Sequence, residues 1–185
     1  MGRKGKTRQD WVQAGQGLLV ERGIKAVKLH SLTAKLSVST GSFYHHFKNF
    51  DDYLSALAEF YGSEQAQRPF DAARARVGDD PKSLLREATT IFGAESGRQL
   101  NIAMRSWAQT DERACAAVRR YDAVLIKNLD EIFLALGFKE IAAKSRTLIM
   151  MGLASLDLDQ NLMKPSFADR WHYIRDHLML PEHPE

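Results

Sequence analysis

Two phenylalanines four residues apart, Phe43 and Phe47, sit inside the eleven-residue run Val38-Ser39-Thr40-Gly41-Ser42-Phe43-Tyr44-His45-His46-Phe47-Lys48 and constrain this chain more than any other feature. On a helix, positions four apart share one side, so both rings are expected to pack inward. Ser39 is placed to start that helix as a cap, its hydroxyl accepting from an amide two or three residues on. The same geometry turns Thr40, Gly41, Ser42, Tyr44, His45 and, at the helix end, His46 away from the core or toward its edges. Glycine inside a helix costs roughly 1 kcal/mol relative to alanine, so Gly41 in the first turn implies close approach of a backbone or a phosphate. First-turn amides carry partial positive charge and favour an anion there.

Two helices are expected upstream. Trp11, Gly15, Leu18, Leu19 and Arg22 share one face, broken in apolar character only by Gly15 and Arg22, and Gly23 is placed to end that helix in a left-handed conformation. Leu29, Leu32 and Leu36 form a shorter stripe, after which Ser37-Val38-Ser39 supplies turn-forming residues around one apolar plug. Downstream, Lys48 adds a cation, and Asn49 can cap a further helix with Asp52 at its third position.

Charge follows the same division. Residues 1–49 hold nine Lys/Arg and two Asp/Glu, in a chain whose totals are 26 and 23, so the first part is strongly positive and the rest net negative. A basic segment attracts polyanions, and each cation that neutralises a phosphate releases a condensed counterion. Charge alone names no sequence.

The run Leu32-Thr33-Ala34-Lys35-Leu36-Ser37-Val38-Ser39-Thr40-Gly41-Ser42-Phe43-Tyr44-His45-His46-Phe47-Lys48-Asn49 resembles the helix-turn-helix of TetR (tetracycline-repressor-like) transcriptional regulators. The likeness covers residues 8–60 with high specificity. It implies that Thr40, Gly41, Ser42, Tyr44 and His45 approach bases or phosphates in the major groove, and that His46 and Lys48 hold the phosphate backbone. Lys28, His30 and Ser39, around the two helix starts, complete the expected DNA-facing set. Three positions depart from the family pattern. Ser37 replaces a turn glycine, which serine tolerates only if the position does not strictly demand a positive φ. Lys28 replaces a capping threonine, leaving either His30 or Ser31 as the cap, or Lys28 as an added phosphate contact. Phe50 stands where lysine is common.

Beyond residue 50 helical periodicity continues. Asp80-Pro81 reads as cap and first turn of a helix bearing Leu84, Leu85, Ala88, Ile91 and Phe92. Leu100, Ala103, Met104 and Trp107 mark the next helix, and Thr110 or Asp111 caps a long one that Gly137 closes. Two more fit 140–156 and 167–178, with Pro181 stopping the last. No convincing stretch alternates with strand periodicity, so the expected fold is all-α with about nine helices. The expected division is a helix-turn-helix domain with a basic arm at 1–49 and a helical effector-binding and dimerisation domain at 50–185.

In the family, the middle helices surround an effector pocket and the last two pair with a second copy as a four-helix bundle. The small residues Ala142, Ala143, Ser145, Gly152, Ala154 and Ser155 would permit close helix approach, although ordinary internal packing explains them equally well. Candidate effector contacts are Phe92, Met104, Trp107 and Tyr121, whose aromatic and thioether groups suit an apolar molecule, with Arg105 for an anionic one. Each fits a plain core role as well.

Other chemistries find little support. His45 and His46 are adjacent and do not share a helix face, and no second ligand pair follows at metal spacing. The single cysteine, Cys115, lacks a sequence-evident base partner and cannot form an internal disulfide. No glycine-rich phosphate loop follows a strand. Neither a catalytic site nor a cofactor or metal is expected. No apolar run approaches a membrane span, and Lys6 stands where a myristoylation signal needs Ser or Thr, so a cytoplasmic protein is the default expectation. The reading is therefore a homodimeric regulator, a repressor that a small molecule releases from an inverted-repeat DNA site. The alternative is a helical ligand-binding or scaffold protein that has lost DNA reading.

Overall fold

A computed structural model describes residues 5–92, 95–156 and 167–180; the side chains of residues 92, 95, 96, 167 and 168 are outside that description. Among the described residues every regular element is helical: α1 (Arg8–Arg22), a single 3-10 turn (Ile24–Ala26), α2 (Leu29–Leu36), α3 (Thr40–Tyr44), α4 (Phe50–Gly62), α5 (Glu64–Val77), α6 (Pro81–Phe92), α7 (Glu95–Ala108), α8 (Glu112–Ala135), α9 (Glu140–Ser155) and α10 (Phe167–Leu178). The all-α expectation holds. The helix that sequence periodicity did not single out is α5, which carries Pro69 in its interior.

The chain forms two compact units, Met1–Glu64 with Ala103–Arg120, and Gln65–Ile102 with Tyr121–Glu185. In the first unit α1 begins with a reciprocal cap. Thr7 Oγ1 accepts from the Asp10 amide at 3.2 Å, while Asp10 Oδ2 accepts from the Thr7 amide at 2.7 Å. The Thr7 amide first, and the Thr7 hydroxyl donating to the same oxygen at 3.0 Å, hold the Asp10 carboxyl below its ordinary range. Trp11, Leu18 and Leu19 from α1 are buried with Leu32 of α2 and with Tyr53 and Leu57 of α4.

Gly15, which interrupts the apolar face of α1, lies against Tyr53: a Cβ there would collide with the phenol oxygen. That oxygen donates to the Trp11 carbonyl at 3.0 Å. Burial pushes the phenol pKa far up and keeps the proton in place. Gly62 plays a similar part at the other end of α4, where a Cβ would stand 2.8 Å from the carbonyl oxygen of Ala117 on α8.

Helix ends follow the sequence with two corrections. Gly23 has the expected positive φ of 72°, but its ψ of 176° lies outside the left-handed helical region. Ser37 does occupy that region, at φ 55° and ψ 48°, so the position demands a positive φ after all and serine bears the strain. Asp80 Oδ2 accepts from the Ser83 amide at 2.8 Å, and of the two proposed caps for α8 it is Asp111 that accepts, from the Arg113 amide at 2.9 Å. Gly137, at φ 93°, closes α8 as expected.

The second unit has its own core, with Leu85, Ala88, Phe133, Ala143, Met150 and Trp171 buried. Trp171 Nε1 donates to the Thr89 carbonyl at 3.0 Å, tying α10 to α6. Arg146 ties α9 to α10 by donating to the Leu178 carbonyl at 3.0 Å while lying 3.8 Å from the centre of the Phe138 ring. Pro181, expected to stop the last helix, lies outside the described residues.

Candidate nucleic-acid interface

The recognition segment is built on an aromatic base. Phe43 is 0 % and Phe47 2 % exposed, as their four-residue spacing requires. Phe43 meets Trp11 edge-on at 5.4 Å, Phe47 at 5.1 Å and Tyr53 at 5.7 Å between ring centres, so α3 is clamped between α1 and α4. Above that base Thr40, Gly41, Tyr44 and His45 are exposed, whereas Ser42 and His46 are half-buried. Tyr44 is 59 % exposed, its ring braced edge-on against Phe43 at 5.4 Å. A large aromatic with a polar tip, held rigid yet open to solvent, suits contact with another macromolecule.

Gly41 leaves the first turn open. A Cβ there would meet only Ser39 Oγ, at 3.7 Å, so among the described residues no backbone from outside this helix comes close. Ser39 occupies the cap position with extended geometry, but its hydroxyl makes no capping bond; the Ser39 carbonyl instead accepts from the Ser42 amide at 3.1 Å. This corrects the expected side-chain cap. The amides at the start of this helix keep no side-chain acceptor from the cap residue.

The start of α2 is similar. Lys28 is its cap residue and makes no side-chain capping bond. Neither His30 nor Ser31 caps it, since each lies inside the helix and their side chains approach each other at 3.3 Å. Lys28 and His30 are both exposed, as are Arg22 and Lys25 just before them. Sequence alone marks Arg22 only as a break in the apolar face of α1 and Lys25 only through total charge. Lys35, by contrast, is drawn to Glu21 at 2.5 Å.

After α3, Lys48 is exposed while its amide donates to Asp52 Oδ2 at 3.0 Å, and Asn49 Oδ1 accepts from the Asp52 amide at 2.8 Å. Asn49 therefore caps α4 as expected, and the same cap fixes the backbone at Lys48. Arg8 lies over the Phe47 ring at 5.1 Å and brings a further cation to this side of the base. What the arrangement can do chemically is bind a polyanion through Lys28, Lys48 and open helix starts while presenting Tyr44, Thr40 and His45 for finer contacts.

The expected effector residues are placed differently. Met104 and Trp107 are buried on α7, Tyr121 is buried on α8, Arg105 is half-buried, and the Phe92 side chain lies outside the described residues. A cleft of about 370 Å³ in the first unit has Arg8, Val12, Ala56, Glu59 and Phe60 among its walls, and Met104, Arg105, Trp107 and Tyr121 do not line it. Cys115, on α8, is half-buried.

Fold and site together define an all-helical protein carrying a helix-turn-helix at its amino end. Its fold is that of the TetR-family transcriptional regulators. A TetR transcriptional regulator from Legionella pneumophila superposes with a TM-score of 0.74 over 96 % of this chain and 98 % of its own, at 13 % identity. Escherichia coli NemR in its reduced form gives 0.72 over 94 % and 95 %, at 19 % identity. The multidrug binding protein EbrR, complexed with malachite green, gives 0.63 over 96 % and 99 %, at 18 % identity. In sequence, the Tn10 transposon TetC protein of Escherichia coli is 44 % identical over 50 residues, a segment spanning 27 % of this chain and only 25 % of that protein. No protein-family model matches the chain. Among the described residues no helix is long and apolar enough to cross a membrane.

Proposed function

We propose that this chain is a sequence-specific DNA-binding transcriptional regulator, a repressor that leaves an inverted-repeat operator when a small molecule binds. The observation that carries the reading is α3 itself: Phe43 and Phe47 are sealed into the first unit while Thr40, Gly41, Tyr44 and His45 stand open beside Lys28 and Lys48. A short helix presented this way, with a second helix start alongside, is how helix-turn-helix proteins place side chains in the major groove. The likeness to known regulators supports the same reading. Residues 1–49 then serve as the DNA-binding domain and 50–185 as the effector and dimerisation domain. The malachite green complex of EbrR supports an aromatic small molecule as effector.

The surface of the second unit supports a dimer. On α9, Ile141 is 83 % and Leu148 73 % exposed, with Ile149 beside them, and Tyr173 on the adjacent α10 and Leu180 just past its end are exposed as well. Large apolar side chains at helical spacing on two neighbouring helices form a patch that water disfavours and a second copy would cover. Of the small residues expected to permit close helix approach, Ala143 is buried inside the unit, whereas Ser145 and Gly152 are open to solvent.

The reading is tested by substitution at the face. Tyr44→Ala is expected to weaken binding to the operator and spare non-specific DNA, whereas Lys48→Ala weakens both and lowers the salt slope by about one. Wild-type binding by both variants, each folded and dimeric, would return the chain to the helical scaffold reading.

A further inference from the structure

A side-chain network near the recognition segment converges on Arg113, in the first turn of α8. Its Nε and Nη2 donate to the two carboxylate oxygens of Asp111 at 3.1 and 2.9 Å, in the fork geometry that gives such pairs directional specificity. Its Nη1 reaches across to α4 and donates to Asp51 Oδ1 at 2.5 Å and to the Asp51 carbonyl at 3.2 Å. One guanidinium thus joins the cap of α8 to the opening turn of α4.

Asp51 is the second residue of α4, and its neighbour Asp52 holds the Lys48 amide at 3.0 Å. The base on which Arg113 stands is itself fixed, because Gly62 of α4 abuts the Ala117 backbone one turn further along α8. Movement of the α4 start against α8 would therefore break the Arg113 bridge, and movement of that start would carry the Asp52 carboxylate and the Lys48 backbone with it.

We infer that Arg113 is a positioning residue for the nucleic-acid face, one that fixes the exit of α3 through Asp51 and Asp52 and so sets where Lys48 meets a phosphate. The inference rests on the reading of this face as a DNA-binding surface. Lysine does not replace the residue, since an ammonium cannot satisfy Asp111 in a fork and reach Asp51 at once.

The experiment is a double-mutant cycle on the full chain: wild type, Arg113→Gln, Lys48→Ala and the double variant, titrated against a labelled duplex enriched from a randomised pool over a range of salt. Circular dichroism establishes folding of each. Arg113→Gln is expected to lower affinity about tenfold, in keeping with loss of one charged hydrogen-bonding anchor, and to lower the salt slope by about one. In the Lys48→Ala background the same substitution is expected to cost less than about threefold, because two residues acting through one contact are not additive. Should Arg113→Gln fail to fold, Asp51→Asn opens the bridge from an exposed position and is expected to lower the salt slope likewise. Wild-type affinity and slope in the bridge variants, or full additivity with Lys48→Ala, overturns the role of Arg113. A wild-type slope in Lys48→Ala itself overturns the DNA reading beneath it.

Discussion

Ser37 holds φ at 55° between α2 and α3, a conformation that crowds the Cβ of every L-residue. Glycine removes that crowding but loses more freedom on folding, so Ser37→Gly is expected to stabilise the protein by about 0.5–1 kcal/mol in chemical denaturation. Gly15 is the opposite case. Its place on an otherwise apolar face of α1 looked like an interruption because periodicity reports which side a residue faces and nothing of what arrives from elsewhere in the chain. Tyr53 arrives there, with its hydroxyl on the Trp11 carbonyl. Gly15→Ala is therefore expected to cost about 2–4 kcal/mol, combining overpacking with a broken buried hydrogen bond, and thermal melts would show it as a large fall in Tm. Phe43 and Phe47, in contrast, were legible outright, since four-residue spacing and size leave them one place to go.

Among the elements, those with a strong local signal were legible and those held by neighbours were not. α6 announces itself through Asp80-Pro81, and the Asn49 cap of α4 forms as its side chain dictates. Asn49→Ala is expected to destabilise the fold by about 1 kcal/mol and, because the cap also fixes Asp52 against the Lys48 amide, to weaken DNA binding further than that loss of stability accounts for. Parallel denaturation and binding titrations separate the two effects. α5 escaped notice because its polar run and the interior Pro69 both argue locally against a helix, whereas Ala66, Phe70 and Ala73 bury one face of it. At α3 the Ser39 cap was expected from residue type, but the hydroxyl is left unused by the helix. Capping preference describes an isolated helix start and takes no account of what the folded chain places around it.

For the whole molecule, the sequence separated a basic amino end from a net acidic remainder and, through the family resemblance, implied a paired protein, with small residues such as Gly152 as one way for helices to approach closely. The helix period alone cannot distinguish an apolar side chain that faces the chain's own core from one that faces a second copy. Ile141 and Leu148, seven apart on α9, resolve only once α9 is seated and they are left in solvent. Leu148→Asp is expected to yield a folded monomer in sedimentation velocity and to reduce affinity for a two-half-site duplex at least about tenfold, because only a dimer engages both half-sites at once.

Selection of bound duplexes from a randomised pool by the full chain tests the central claim most directly. An enriched inverted repeat, with half-sites about one helical turn apart or a multiple of that and enrichment abolished by Tyr44→Ala, is the predicted result. A folded dimer that enriches no sequence would contradict it.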